Sequence, residues 1–115
     1  MILTLPWPVS ANKRLIPARG RWVLNPKYRA WKAAAEVMLA IQLAGKHTAA
    51  GPYHVVVWVH PPDKRRRDLD NAIKCCLDSL TAAHAITDDS AIDWLEVRRG
   101  ERIEGGCLKV EILSL

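Results

Sequence analysis

Eight residues, Tyr53 to His60, read Y-H-V-V-V-W-V-H between Pro52 and Pro61, and no other stretch narrows the possible folds as much. Valine loses rotamer freedom against a helical turn but packs well on a pleated surface, and prolines at both ends withdraw amide donors from a ladder. The run is therefore expected to be a strand, and its continuous apolar character makes it a largely buried one. The rest of the chain has to supply the sheet and the cover that bury it.

Two helical patterns flank this strand. Asn25-Pro26 offers an N-cap followed by proline at the first helical position, and Trp31, Ala34, Met38 and Ile41 recur at helical spacing, which predicts a helix over 26–44 with those residues inward. A second helix is expected from Asp68, as its cap, to about Ala83, with Leu69, Ile73, Cys76, Leu77 and Leu80 as its apolar stripe. Met1–Leu5 alternates weakly and stops at Pro6-Trp7-Pro8, as a short strand would. The segments 92–103 and 108–113 flank Gly105-Gly106 and suggest an antiparallel hairpin. Ser10 to Trp22, rich in Arg, Lys, Asn and Gly, reads as a mobile basic segment with room for a small hairpin. The expected fold is α+β, a mixed β-sheet with two main helices in the order β-α-β-α-β-β, the helices mainly on one face.

With 115 residues the chain has the length of one small domain, 1–115. Its net charge of +5 comes from basic residues concentrated at 13–21, 64–67 and 98–102, a distribution that favours an anionic partner. Three cysteines, Cys75, Cys76 and Cys107, lack C-x-x-C spacing and point to neither a disulfide framework nor a zinc site. No apolar run approaches the ~20 residues of a membrane span, and the N-terminus lacks signal-peptide character. A reducing, cytoplasmic setting is the expectation.

Asp63 to Asp89 combines two chemistries. The stretch D-K-R-R-R-D-L-D-N-A-I-K is followed one helix later by T-D-D-S, placing carboxylates beside a dense basic cluster. A hard divalent cation such as Mg²⁺ takes oxygen ligands, and a nucleic-acid backbone takes Lys and Arg, so one site serving both places them side by side. Asp68 and Asp70 flank the inward-pointing Leu69 and could share one metal, although Asp68 also suits an N-cap and Asp70 the positive end of a helix dipole. Lys74 follows Asp70 by one turn and could approach a phosphate or simply pair on the surface. One of Asp88 and Asp89 is expected to complete the site, with a plain turn as the alternative. Metal held by these carboxylates would serve phosphodiester hydrolysis. Lys64, Arg65, Arg66 and Arg67, with Lys13 and Arg14, are the expected DNA-binding residues. His47, His54, His60 and His84 show no ligand spacing and read as surface or packing residues.

With those residues in view, the chain resembles the RusA family of Holliday-junction resolvases, small phage-associated endonucleases that cut four-way DNA junctions symmetrically. Leu5-Pro6-Trp7-Pro8 with Ser10 and Asn12 is similar to the family's opening, Arg67-Asp68-Leu69-Asp70-Asn71 with Lys74 and Asp78 to its central motif, and Asp88-Asp89 to its final acidic pair. The resemblance implies that Asp68, Asp70 and Asp89 are the essential acidic residues around Mg²⁺, that Lys74 is an essential basic residue, and that Asp88 is a secondary candidate. It also implies a homodimer, whose two-fold symmetry matches that of a junction. The chain departs from the family pattern at His84, where glycine is common after the second helix, and at Val9, where a second proline is common.

Two other readings remain open on sequence. The same site could prefer flaps, forks or bubbles. Alternatively, the chain could be a non-catalytic module that grips nucleic acid, with Asp68 and Asp70 only as helix caps. Trp22, next to the Arg14–Arg21 segment, is either a stacking residue for exposed bases at a junction centre or a packed residue.

Overall fold

In a computed structural model, which describes residues 1–9, 14–46 and 49–115, the strand expected at Tyr53–His60 is present and sits inside a four-stranded sheet. The elements in chain order are β1 (Ile2–Pro6), β2 (Leu15–Ala18), β3 (Arg21–Leu24), α1 (Pro26–Leu43), β4 (Tyr53–His60), α2 (Ile73–Ala82), β5 (Ile92–Arg99) and β6 (Cys107–Ser114). The sheet order is β1-β6-β4-β5; β6 runs antiparallel to both neighbours, and β5 runs parallel to β4. This is the mixed α+β sheet with two helices that the sequence implied. The β2–β3 hairpin forms a separate two-stranded sheet within the basic N-terminal region.

The core explains why β4 is so apolar. Tyr53, Val55, Val57 and Val59 alternate onto the face that both helices cover, joined there by Leu3, Leu5, Leu108 and Val110 from the neighbouring strands. Each fully buried side chain of this size is worth roughly 1.5–3 kcal/mol against exposure, so this layer dominates the fold's stability. The other face carries His54, Trp58, Glu96, Arg98 and Lys109 and is at least partly open to solvent, as expected when helices occupy only one side.

Three expectations are corrected. The first is the inward stripe of α1, which is Tyr28, Trp31, Ala35, Leu39 and Leu43 rather than Trp31, Ala34, Met38 and Ile41; Ile41 is 72% exposed. The helix is alanine-rich on nearly every side, so its period fits more than one stripe, and polar clasps decide among them. Trp31 Nε1 donates to the Pro6 carbonyl (3.0 Å), and the Gln42 amide both accepts from and donates to the Thr4 backbone (2.7 Å each), locking α1 onto β1. The expected start of α1 is correct, with the Asn25 side chain accepting from Lys27 N at 2.9 Å.

The second correction concerns β5 and β6, which are not a hairpin but lie on opposite edges of β4. Their connection crosses the end of β4, where Gly100 N donates to Val59 O (2.9 Å), Ile103 N donates to Pro61 O (3.0 Å), and His60 Nδ1 meets Glu101 O (2.8 Å). A side chain at Gly100 would overlap the His60 ring, so only glycine lets the chain pass so close. Gly105 and Gly106, at φ +78° and +68°, then reverse it into β6.

The third is the start of the second helix. A single 3₁₀ turn, Leu69–Ala72, precedes α2, whose most deeply buried side chains are Cys75, Cys76, Ser79 and Leu80, with Leu69, Ile73 and Leu77 only partly covered. After α2, His84 adopts φ +62°, the left-handed conformation for which glycine is the usual choice. Trp22 is 69% exposed on β3, so it is not a packed residue. Among the described residues no helix is long and apolar enough to cross a membrane.

Candidate active site

The basic loop after β4 is fixed by its single acid. Asp63 accepts from Arg65 N (2.9 Å) and takes the Arg67 guanidinium at both oxygens (2.7 and 3.1 Å), a two-pronged arrangement that sets orientation as well as attraction. The Arg67 hydrogen bond, aided by the Arg65 amide, holds the Asp63 carboxyl down to about 2, and the same hydrogen bond raises Arg67. The Arg67 guanidinium also lies over Trp7, 5.3 Å from the ring centre, and Arg99 Nη2 donates to the Arg67 carbonyl at 2.9 Å. The cluster therefore divides: Arg67 is committed within the protein, whereas Lys64, Arg65 and Arg66 project outward. Lys13, the other basic residue singled out by sequence besides Arg14, lies outside the described residues, as do Ser10, Asn12 and His47.

Directly after Arg67, Asp68 occupies the N-cap position of the Leu69–Ala72 turn in extended conformation (φ −83°, ψ 138°), yet its side chain makes no capping hydrogen bond. Asp70 is exposed one residue inside that turn. Neither carboxylate hydrogen-bonds to another described residue. Capping alone thus fails to account for Asp68, contrary to the simplest structural reading of the motif.

Lys74 projects from α2 and pairs with Asp78 (3.0 Å), not with Asp70 as the spacing also allowed. The Asp78 hydrogen bond raises the Lys74 amine, Asp89 adds to the rise, and Arg14 opposes it. These influences place Asp89, Lys74, Asp78 and Arg14 in one electrostatic neighbourhood. Arg14 is held there by the base of the β2–β3 hairpin, where its carbonyl accepts from Asn25 N (2.8 Å) and its guanidinium lies beside the Tyr28 hydroxyl.

The paired acids before β5 have different employments. Asp88 caps the 3₁₀ turn Asp89–Ala91 by accepting from Asp89 N (2.9 Å) and also takes the Ser90 hydroxyl. The Ser90 hydroxyl, then Asp89, lowers the Asp88 carboxyl. Asp89, inside the turn, is the one of the pair whose charge acts on Lys74, after Asp78.

The structure therefore brings Asp89 near Lys74 on α2 and leaves Asp68 and Asp70 exposed on the preceding turn. Among the described residues no three His, Cys, Asp or Glu side chains are gathered tightly enough to hold a metal ion. The donor set still suits a hard cation in kind, being carboxylate oxygens with Asp68 and Asp70 unspent on other described residues. The thiols do not contribute: burial pushes Cys75 up to about 11 and raises Cys76 as well, and all three cysteines are free.

Beside Asp68 opens a cavity of about 460 Å³, lined among others by Trp7, Val59, Asn71 and Arg99. Sequence reasoning gave no role to Asp63 or Arg99. Asp63 four residues before Arg67 is a visible charge spacing, but the reach of Arg99 across 32 residues leaves no local signal.

A family model described as Endodeoxyribonuclease RusA matches residues 6–113. The chain is 33% identical over 118 aligned residues to a protein named Crossover junction endodeoxyribonuclease RusA from Shigella sonnei, and equally to the one from Escherichia coli K12, covering 98% of this chain and 93% of each relative. A protein of the same name from Enterobacteria phage 82 is 31% identical over 113 residues, with the same coverage.

Proposed function

The chain belongs to the RusA family of endodeoxyribonucleases, and from that premise we propose that it is a Mg²⁺-dependent endodeoxyribonuclease that resolves Holliday junctions by paired symmetric nicks, in DNA recombination and repair. It acts in the cytoplasm as a homodimer. A four-way junction offers two equivalent strands for cutting, a 115-residue subunit has room for one such site, and a two-fold pair of subunits supplies both.

One observation carries the catalytic assignment: Asp68 stands in a capping position without capping, at the edge of an arginine-rimmed cavity. Asp68, Asp70 and Asp89 are the residues that would hold the cation, with Asp88 as a neighbour occupied by its own turn. Bound there, a divalent ion supplies charge neutralisation and water activation for phosphodiester hydrolysis. Lys74, kept protonated by Asp78 and Asp89, presents a fixed positive charge to the phosphate being cut. Arg65 and Arg66, exposed on the loop, neutralise flanking phosphates, while Asp63 and Trp7 hold Arg67 and thereby the start of the acidic turn. Arg14 extends the basic surface toward the exposed Trp22.

Asp70→Asn is the test. The variant is expected to bind a synthetic four-way junction with unchanged affinity and to have lost nicking in Mg²⁺. Nicking at the wild-type rate would contradict the assignment.

A further inference from the structure

Neither metal holding nor phosphate binding gives Asn71 a task. Its side chain lines the cavity next to Asp68 and hydrogen-bonds to no other described residue. Trp7 lines the same cavity, and Gly106 packs so closely on it that a side chain there would press on the indole, and on Pro62, at 2.9 Å. Arg67, clamped by Asp63, covers the indole further. The cavity thus joins an indole and a clamped guanidinium, the apolar Val59 and Ala72, and one uncommitted amide. Arg66 and Arg99 are exposed around it.

We infer that this cavity receives the nucleobase next to the cut phosphate and that Asn71 reads its edge, making Asn71 a specificity-determining residue. At about 460 Å³ the cavity lies within the roughly 300–1,000 Å³ typical of small-molecule sites, ample for one base with its sugar. A base stacks on a guanidinium plane such as that of Arg67 whatever its identity, which supplies affinity, whereas a primary amide offers one acceptor and two donors, which supply discrimination. Where strands exchange at a four-way junction, a base loses part of its stacking, so drawing it out costs less than from continuous duplex. The flanking cations suit the phosphates on either side, and adjacency to Asp68 ties the base that is read to the bond that is cut. An isolated groove for phosphate alone would need neither the indole nor the amide.

The inference rests on the endonuclease reading, and one experiment separates their failures. Four-way junctions carrying each of the four bases, or an abasic residue, at the nucleotide beside the cut are nicked by the wild type and by Asn71→Ala. For the wild type, the best base should exceed the worst by roughly 5- to 150-fold, the factor that a good side-chain contact to a base edge confers. The abasic junction should fall with the worst base. Asn71→Ala should flatten the ratio to within about threefold. The ratio is internal to each variant, so partial misfolding leaves it unchanged. A wild-type base profile preserved in Asn71→Ala overturns the base-reading pocket and spares the endonuclease assignment; failure of the wild type to nick any four-way junction overturns both.

Discussion

Two short turns carry the acids of the candidate site, and each opens on an aspartate in the capping position. Before the Asp89–Ala91 turn, Asp88 caps with its side chain; before the Leu69–Ala72 turn, Asp68 holds the same extended backbone and makes no such bond. The same residue type at the same local position is structural in one place and unspent in the other. A carboxylate left without a described partner beside a positively charged loop is available to a ligand, whereas one already accepting two hydrogen bonds is less so. This difference is why Asp89, rather than Asp88, is proposed to act with Asp68 and Asp70.

Substitutions can break that comparison, and the largest effect is expected at the unspent acids. Asp68→Asn keeps the shape and removes the charge; junction nicking should fall by at least about 10²-fold, as for loss of one electrostatic contact to a transition state, with the melting temperature nearly unchanged. Equal loss of stability would make Asp68 a structural residue after all. Asp88→Ala should behave in the opposite way, lowering Tm by roughly 2–6 °C through loss of the cap while nicking falls less than in Asp89→Ala. If Asp88→Ala abolishes nicking in a fully folded protein and Asp89→Ala does not, the division of labour is reversed.

A smaller effect sharpens the account of the basic loop. Asp63 is held at about 2 in the folded protein, below the ordinary value of 3.8, so its contribution to stability is complete above pH 3.8 and is lost as pH falls through about 2. The Tm difference between wild type and Asp63→Asn should therefore be constant near neutrality and narrow between about pH 4 and 2. A difference that widens with acidification would contradict the Arg67 clamp.

The positions of most elements and the capped start of α1 were legible in the sequence because they rest on local rules, namely β-branched runs, an Asn-Pro start and glycine turns. Strand neighbours were not: Gly105-Gly106 suggests a hairpin, but the buried β4 requires partners on both edges and takes β5 and β6 one on each. The facing of α1 was hidden for a related reason, since Gln42 and Trp31 choose it by gripping β1, which only the assembled fold reveals. Leu39→Ala should cost about 2–5 kcal/mol, and Ile41→Ala less than about 0.5 kcal/mol, in chemical denaturation. In the candidate site the acids and Lys74 were legible as a motif, whereas the Lys74–Asp78 pairing, the Asp63 clamp and Arg99 depend on side-chain reach.

The central claim, that these acids serve metal-dependent cutting of branched DNA, meets its most direct test in one assay. Purified protein is incubated with a labelled four-way junction and with linear duplex of the same sequence, in Mg²⁺ and in chelator. The account predicts paired, symmetric nicks in the junction with Mg²⁺ only and an intact duplex; nicking that persists in chelator, or an uncut junction that is nevertheless bound in Mg²⁺, would contradict it.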